Sequence, residues 1–194
     1  MELAISPGRI DPTNPAFDDS RKPLVGEFVF YGQKLFVVVN HFNSKSDDDP
    51  LFGWRQPPIC STEVQRNQQA QVVNDFVDGI LALDANANLI VLGDLNDFQF
   101  SPAVSETLAA DVLVNLMWTL PITEQYTYVY NGNSQVLDHI LVSDNLSDNA
   151  TIEFDIVHTN AEFAYSAQRP SDHDPVVATL TLPLHRVYLP LLMR

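Results

Sequence analysis

Short runs of apolar residues recur along most of the chain and predict the strands of a β-sheet. The first two runs, residues 25–30 and 35–39, flank a turn at Tyr31 and Gly32, which is typical of a β-hairpin. The second run is apolar at every position, so we expect its strand to be buried on both faces. Five further runs predict strands at residues 89–92, 126–130, 136–142, 154–158 and 176–182.

A helical period marks one long segment and a weaker period marks a second. Residues 63–83 carry apolar side chains at helical spacing, and a second helix is predicted to begin near Ser101 and Pro102, because Pro is favoured in a first turn. Strands joined partly by hairpins and partly by helices indicate a mixed sheet with helices on one face. A second sheet is the usual cover for the other face. The predicted fold class is therefore α/β, a mixed-sheet β-sandwich flanked by helices.

The polar segments set the expected boundaries of the domain. Residues 1–23 are rich in Pro, Asp, Ser and Asn without an apolar period, which predicts a loop, and residues 183–194 form a short tail. The intervening residues 24–182 suit one compact domain. The start of the chain lacks a basic region followed by an apolar run, and no stretch approaches the ~18 apolar residues of a membrane span. The sequence therefore predicts neither a signal peptide nor a membrane span.

The composition is strongly acidic. Ten Lys and Arg residues stand against 25 Asp and Glu residues, a formal net charge of −15. This charge disfavours passive binding of a polyanion such as nucleic acid, but a carboxylate-bound divalent cation would supply positive charge locally. We interpret the run Asp47, Asp48 and Asp49 as a solvated surface. The single Cys60 excludes an internal disulfide and lacks the partners of a zinc site.

Four segments place polar side chains at the end of a predicted strand or in the turn beyond it. Strand ends hold such groups rigidly at one rim of a sheet. Taken singly, each segment is weak support for a functional site, because a lone His or Asp after a strand is more often a turn former or a hydrogen-bonded cap. The segments are Asn40-His41-Phe42-Asn43-Ser44-Lys45, Gly93-Asp94-Leu95-Asn96-Asp97, Leu137-Asp138-His139-Ile140-Leu141-Val142-Ser143 and Ser171-Asp172-His173-Asp174-Pro175.

In this order and at these spacings, the four segments resemble the signature of the endonuclease/exonuclease/phosphatase (DNase I-like) family over residues 24–182. The residues in these segments are similar to the corresponding motifs of large secreted bacterial nucleases. The resemblance implies a DNase I-like fold, an extracellular location and metal-dependent hydrolysis of phosphodiesters, with DNA or RNA as substrate. Inositol phosphates and sphingomyelin are alternative substrates, because the same scaffold acts on them elsewhere.

The resemblance also implies roles for the metal-side residues. Asp172 and Asp94 would bind a divalent cation, for which Mg²⁺ is expected and Mn²⁺ or Ca²⁺ are alternatives, since hard cations prefer oxygen ligands. Asp94 would also orient or deprotonate the attacking water. Asn96 would hold a phosphate oxygen or position Asp94.

Two histidines are expected on the phosphate side. His173 would donate to the phosphate, with Asp138 on its other ring nitrogen to fix the tautomer and favour the charged form. His41 would be a second phosphate-side group and a general acid for the leaving oxygen, or else a polar strand cap. His139 points away from Asp138 in an extended strand, so we assign it a structural role.

Three further residues are candidates for contact with substrate. Arg21 resembles the basic residue that touches phosphate in related nucleases, although a solvated Arg fits the sequence equally well. Asn43 and Lys45 follow the strand that ends at His41 and would contact a backbone phosphate, or Lys45 would simply be exposed.

The resemblance covers only the second of the two similar halves that members of the family contain, with residues 1–23 as a remnant of the first. The first half supplies an Asn and a Glu to the principal metal, and this N-terminal half is missing here. We therefore expect reduced or no independent turnover. We also expect an exposed sheet face that supports self-association or binding of the missing N-terminal half. A non-catalytic half that works only after such docking is the alternative function.

Overall fold

The structure is a computed structural model and describes residues 6–30, 32–50, 52–166 and 168–182. The turn residue Tyr31 and the predicted tail 183–194 lie outside the described residues. The strands are β1 (Gly8–Arg9), β2 (Leu24–Phe30), β3 (Gln33–His41), β4 (Asn88–Asp94), β5 (Leu113–Asn115), β6 (Tyr128–Tyr130), β7 (Asn133–Gln135), β8 (Asp138–Ser143), β9 (Thr151–Ile156) and β10 (Val176–Thr181). The α-helices are α1 (Glu63–Leu81) and α2 (Asp144–Asn149).

A mixed sheet of six strands forms the centre of the molecule. Its spatial order is β1-β2-β3-β4-β8-β5. The pair β3 and β4 runs parallel, and the neighbouring pairs run antiparallel. The predicted hairpin is confirmed as β2 and β3, which pair from Leu24 opposite Val39 to Phe30 opposite Gln33.

One face of this sheet is covered by helices. Helix α1 and a π-helical segment, Pro102–Ala109, pack their apolar side chains against Phe36, Val38 and Leu89 of the sheet. Burial of this face removes large aliphatic and aromatic surfaces from water, which is the main stabilising term for the fold. Both predicted helices are thus confirmed, the second one with π-helical geometry.

The other face is covered by a small second sheet, in which β9 pairs antiparallel with β10. Ile90, Ile140 and Val142 of the central sheet pack against Phe154 and Ala178 of this pair. The two sheets therefore form the expected sandwich. The expectation that β3 is buried on both faces is wrong, because Val39 is 43% exposed where the small second sheet leaves it uncovered.

Several short elements differ from the sequence-based prediction. The strand expected at 154–158 is observed as β9, because its ladder with β10 begins at Thr151 and ends at Ile156. Strands β5 and β7 and helix α2 are not predicted at all. Each is three to six residues long, too short for an apolar period to be visible.

Among the described residues, no helix has the length and apolar content that crossing a bilayer requires.

Candidate active site

Three functional side chains lie in one row across the ends of β3, β4 and β8. His41 is opposite Asp94 in the parallel pair, and Asp94 is opposite Asp138 in the antiparallel pair. The Nε2 atom of His41 is 3.6 Å from Oδ2 of Asp94. The register of the sheet thus gathers residues that are about 50 positions apart in sequence into a single line.

The alternation of side chains along each strand decides which face carries this row. In β8, Ile140 and Val142 face the second sheet whereas Leu141 faces the helices, so Asp138 lies on the second-sheet side and His139 on the helix side. His139 is completely buried, with Nδ1 3.0 Å from Nδ2 of Asn115 and Nε2 2.9 Å from the carbonyl oxygen of Asp97. These contacts support the structural role predicted for His139.

His173 reaches the row from the loop before β10. Its Nδ1 lies 2.6 Å from Oδ2 of Asp138, a short distance that is typical of a charge-assisted hydrogen bond. The ring of Tyr128 packs against the imidazole, with 4.7 Å between the ring centroids. The imidazole–carboxylate pair expected from the sequence is therefore present, with Nε2 as the second ring nitrogen.

The row brings two carboxylates together in a partly buried environment. Burial and the neighbouring charge of Asp138 raise the pKa of Asp94 to about 6, against the lowering effects of His173, the backbone N–H of Asn96 and Arg21. A buried carboxylate resists ionisation because it has lost water, and a second carboxylate adds repulsion. Asp94 is thus poised to exchange a proton close to neutral pH.

The two histidines of the site differ in charge. Burial alone would lower the pKa of His173, but the hydrogen bond and charge of Asp138, with Asp94, outweigh it and raise that pKa. For His41, burial and the charges of Arg21 and His173 lower the pKa, against the opposing effect of Asp138. His173 therefore favours the imidazolium and His41 the neutral ring.

The turn after β4 shapes the site through its backbone. Gly93 has a φ of +128°, and a Cβ at this position would lie 2.0 Å from the carbonyl oxygen of Asn40. Three residues later, Asn96 takes a φ of +50°, donates its Nδ2 to the carbonyl oxygen of Phe42 and gives its backbone N–H to Oδ1 of Asp94. Asn96 therefore positions Asp94, one of the two roles expected for it.

A second charged group lies behind this turn, and we call it the buried ion network: Lys45, Asp48, Arg66 and Asp97. Arg66 is fully buried and donates Nε to Asp97 at 2.8 Å and Nη2 to Asp48 at 2.7 Å. Lys45 donates to Asp97 at 2.9 Å. Sequence reasoning missed the partners Arg66 and Asp97, which no periodic pattern links.

The structure corrects the interpretation of the acidic run. Asp48 is not a solvated surface residue, because its side chain is 2% exposed. Burial would raise its pKa, but hydrogen bonds from Thr62 and Arg66 outweigh that effect and lower it. Asp49 accepts the backbone N–H of Ile59 and pairs with Arg55. Two of the three carboxylates therefore shape the loop before α1.

The remaining predicted site residues lie around the row in different ways. Arg21 is exposed, and its charge acts on both His41 and Asp94. Asn43 gives its backbone N–H to Gln69. Lys45, in the buried ion network, is neither free nor simply exposed. Substrate contact by these three residues stays a prediction.

Asp172 is exposed beside the row and is not drawn into it. Its charge acts on Tyr128 and His173. Within the part of the chain that is described, the one group of potential ligands with donor atoms within 4.8 Å of one another consists of Asp94, Asp138 and His173. The role of Asp172 as a metal ligand stays a prediction, and Asp138 is a further candidate.

The donor set fits a hard divalent cation. Two carboxylates converge at the end of the sheet, where Asp138 pairs with His173 and the raised pKa of Asp94 indicates that neighbouring groups of the protein do not fully offset its negative charge. Mg²⁺, Mn²⁺ and Ca²⁺ bind carboxylate oxygens, and Mg²⁺ keeps several waters and needs few protein ligands. A cation would remove the repulsion between Asp94 and Asp138.

Comparison with known proteins identifies the family of the chain. A sequence model described as the Endonuclease/Exonuclease/phosphatase family matches residues 6–169. No curated protein matches the sequence.

Solved structures share the fold. Truncated Caenorhabditis elegans TDP2 is 19% identical with a TM-score of 0.60, over 89% of this chain and 62% of that chain. The human Nocturnin catalytic domain is 18% identical with a TM-score of 0.57, over 84% and 54%. Sphingomyelinase C from Streptomyces griseocarneus is 19% identical with a TM-score of 0.55, over 82% and 57%.

At these identities the likeness concerns the fold, and the chain spans 54–62% of the length of those structures. The family that matches in sequence consists of hydrolases that act on phosphoesters with divalent metal ions. Its model covers most of the residues that form the row and both sheets. The chain belongs to the endonuclease/exonuclease/phosphatase family.

Proposed function

We propose that the protein is a metal-dependent phosphodiesterase that cuts DNA or RNA. The observation that carries this proposal is the row of His41, Asp94 and Asp138, with His173 held by Asp138 at 2.6 Å. Hydrolysis of a phosphodiester needs an oriented water, neutralised phosphate oxygens and a proton for the leaving oxygen. The row offers one group for each need.

The metal would be held by Asp94 and Asp138, with Asp172 as the further ligand proposed from the sequence. When bound, the cation supplies positive charge for the phosphate oxygens and lowers the pKa of water. Mg²⁺ is the proposed ion, with Mn²⁺ and Ca²⁺ as alternatives. The net charge of −15 makes such a cation necessary for a polyanionic substrate to approach.

Asp94 is the proposed acceptor for the proton of the attacking water. Without a cation the pKa of Asp94 is about 6, and a bound cation would lower that pKa, so that the carboxylate is ionised and able to accept a proton. The backbone N–H of Asn96 holds Oδ1 of Asp94 at 2.9 Å. The carboxylate is therefore oriented before substrate arrives.

His173 is the proposed donor to the phosphate. Its Nδ1–H is given to Asp138, so Nε2–H remains for an oxygen of the substrate, and its raised pKa favours the charged ring. An imidazolium beside the phosphate stabilises the charge that develops in the transition state. Asp138 thus acts both on the tautomer and on the charge of His173.

His41 is the proposed group on the leaving-oxygen side. Its lowered pKa means that the ring is neutral at neutral pH. A bound phosphate would raise this pKa through its negative charge. The general-acid role therefore depends on substrate, which also brings Arg21, Asn43 and Lys45 into proposed contact with the phosphate backbone.

The choice of nucleic acid as substrate is supported by the residues of the motifs, which are similar to those of secreted bacterial nucleases. An extracellular location is part of the same proposal. The test is a panel of DNA, RNA, inositol phosphates and sphingomyelin with Mg²⁺, Mn²⁺ or Ca²⁺, read by product release. We expect cleavage of a nucleic acid that stops with EDTA. Faster turnover of sphingomyelin or of an inositol phosphate would overturn the substrate assignment.

We propose as a second function that the chain is a docking half whose activity needs a complementary N-terminal half or a second copy. The supporting observation is apolar exposure at two places: Val39, on the face of the central sheet that the second sheet leaves uncovered, is 43% exposed, and Val177, on the outer face of the second sheet, is 47% exposed. Light scattering measures self-association, and a chain extended upstream measures the gain in turnover. A monomer whose rate equals that of the extended chain would contradict this function.

A further inference from the structure

The residue after His173 has an unusual concentration of hydrogen bonds. The carboxylate of Asp174 is fully buried. Its Oδ1 accepts the backbone N–H groups of Thr159 at 2.9 Å, Asn160 at 2.6 Å and Ala161 at 2.9 Å. Its Oδ2 lies 3.0 Å from Nδ1 of His158. One carboxylate therefore fixes the conformation of a whole loop, residues 159–161.

This loop holds the backbone of His173 in return. Asn160 donates its Nδ2 to the carbonyl oxygen of His173 at 2.8 Å. The side chain of Asn160 cannot reach substrate, because the residue is only 4% exposed. Asp174 and Asn160 thus form a closed arrangement around the peptide that carries the imidazole.

The opposite side of that peptide is tied to Asp138 through Thr127. The carbonyl oxygen of Thr127 accepts the backbone N–H of Asp174 at 2.7 Å. The hydroxyl oxygen of the same residue accepts the backbone N–H of Asp138 at 3.2 Å. Both partners of the imidazole–carboxylate pair are therefore positioned against one fully buried residue.

Geometry of this kind controls a short hydrogen bond. The 2.6 Å contact between His173 and Asp138 depends on where the backbone of His173 lies, since the imidazole has few torsions with which to compensate. Loss of the Asp174 carboxylate would leave three backbone N–H groups without their acceptor, which would drive the loop to a new position. The imidazole would move with it.

We propose that Asp174 and Asn160 are positioning residues that set the hydrogen bond between His173 and Asp138. They act on the reaction only through the backbone of His173, because neither side chain is accessible. The consequence for catalysis rests on the proposed phosphodiesterase function, whereas the consequence for the hydrogen bond does not.

The test uses Asn160→Ala and Asp174→Ala in the full chain. Proton NMR in the low-field region detects the Nδ1–H of His173, whose short hydrogen bond gives a distinct resonance, assigned by its loss in Asp138→Asn. We expect this resonance to move upfield or broaden in both variants. We also expect kcat on the cleaved nucleic acid to fall by about 10- to 100-fold, as for other groups that orient a ligand or base, with KM nearly unchanged.

Asn74→Ala is the matched control. Asn74 is 5% exposed and also donates to a backbone carbonyl, that of Leu108, but it lies in α1. This variant should lose stability while the His173 resonance and kcat stay unchanged. A folded Asn160→Ala protein with an unchanged resonance would overturn the proposal. Absence of turnover in the wild type would instead defeat the proposed function, and the resonance would still decide the positioning role.

Discussion

Two charged groups lie on either side of the turn at residues 94–97, and they differ in how far their carboxylates are balanced by cationic side chains. In the buried ion network, Asp48 and Asp97 are matched by the cations of Lys45 and Arg66. In the row, Asp94 and Asp138 meet with far less compensation, and the pKa of Asp94 rises to about 6.

This difference distinguishes a group that stabilises the fold, the buried ion network, from the candidate active site, the row. A buried carboxylate with a protein cation stabilises the fold only while the partner remains, whereas a carboxylate without one creates a demand for positive charge. The network therefore anchors the loop before α1 and the turn after β4. The row keeps uncompensated negative charge at Asp94, which a cation at the proposed metal site would offset.

The largest expected effect is on turnover, through His173→Ala. We expect kcat to fall by about 10²- to 10³-fold, which is the usual cost of removing one donor to the charge that develops in the transition state. Added imidazole should restore part of the rate, and thermal unfolding should be nearly unchanged because the ring is partly exposed. A loss below tenfold in steady-state assays would remove His173 from the chemistry.

On the other side of the turn, Arg66→Met should act on stability. It leaves Asp48 and Asp97 buried without their main partner, so we expect a loss of roughly 3–5 kcal/mol in the free energy of unfolding, measured with urea. The control is Arg55→Ala, which removes an exposed pair with Asp49 and should cost less than about 1 kcal/mol. Equal losses in the two variants would abolish the contrast between the groups.

Acid sensitivity should come from His139, which joins the two regions by facing Asp97 from β8. Burial lowers its pKa to about 4, against weaker opposing effects of Asp97 and Asp138. Because the unfolded chain takes up the proton first, stability falls as pH drops from about 6.5 to 4, by about 3 kcal/mol. His139→Gln should flatten this part of the urea stability profile, and an unchanged slope would contradict the assignment.

The smallest expected effect is a change in stability that has opposite signs in the two groups: a gain when the carboxylate of Asp94 is removed and a loss when that of Asp97 is removed. Asp94→Asn should raise the free energy of unfolding by about 1–2 kcal/mol at pH 8 in EDTA. The folded pKa of Asp94 lies above its unfolded value, so the ionised form opposes folding above about pH 6 and not below about pH 4. Asp97→Asn should lower stability instead. Addition of Mg²⁺ or Mn²⁺ should cancel the gain, and a persistent gain would argue against a cation at Asp94.

Much of the row could be predicted from the sequence, because the position of each residue follows from the pattern of its own strand. Apolar runs identify β3, β4 and β8, and the polar residue at the end of β3 and β4 and at the start of β8 falls at the rim. Alternation along β8 then separates Asp138 from His139. The imidazole–carboxylate pair needed the motif resemblance as well, since 35 residues separate its members.

The rest could not be predicted because it depends on which loops meet. Asp48 looks like part of a solvated run until Arg66 of α1 reaches it across 18 positions. Asp174 follows His173 directly, but no sequence pattern predicts the four hydrogen bonds of its carboxylate. Packing in three dimensions, rather than periodicity, decides both cases.

The close approach of β3 and β4 at Gly93 limits how this site can change. A side chain there would force the carbonyl of Asn40 away, and the spacing between His41 and Asp94 would widen with it. Main-chain contact, not side-chain packing, therefore sets the distance between β3 and β4 at the candidate active site. Any redesign of this site has to retain glycine at this position.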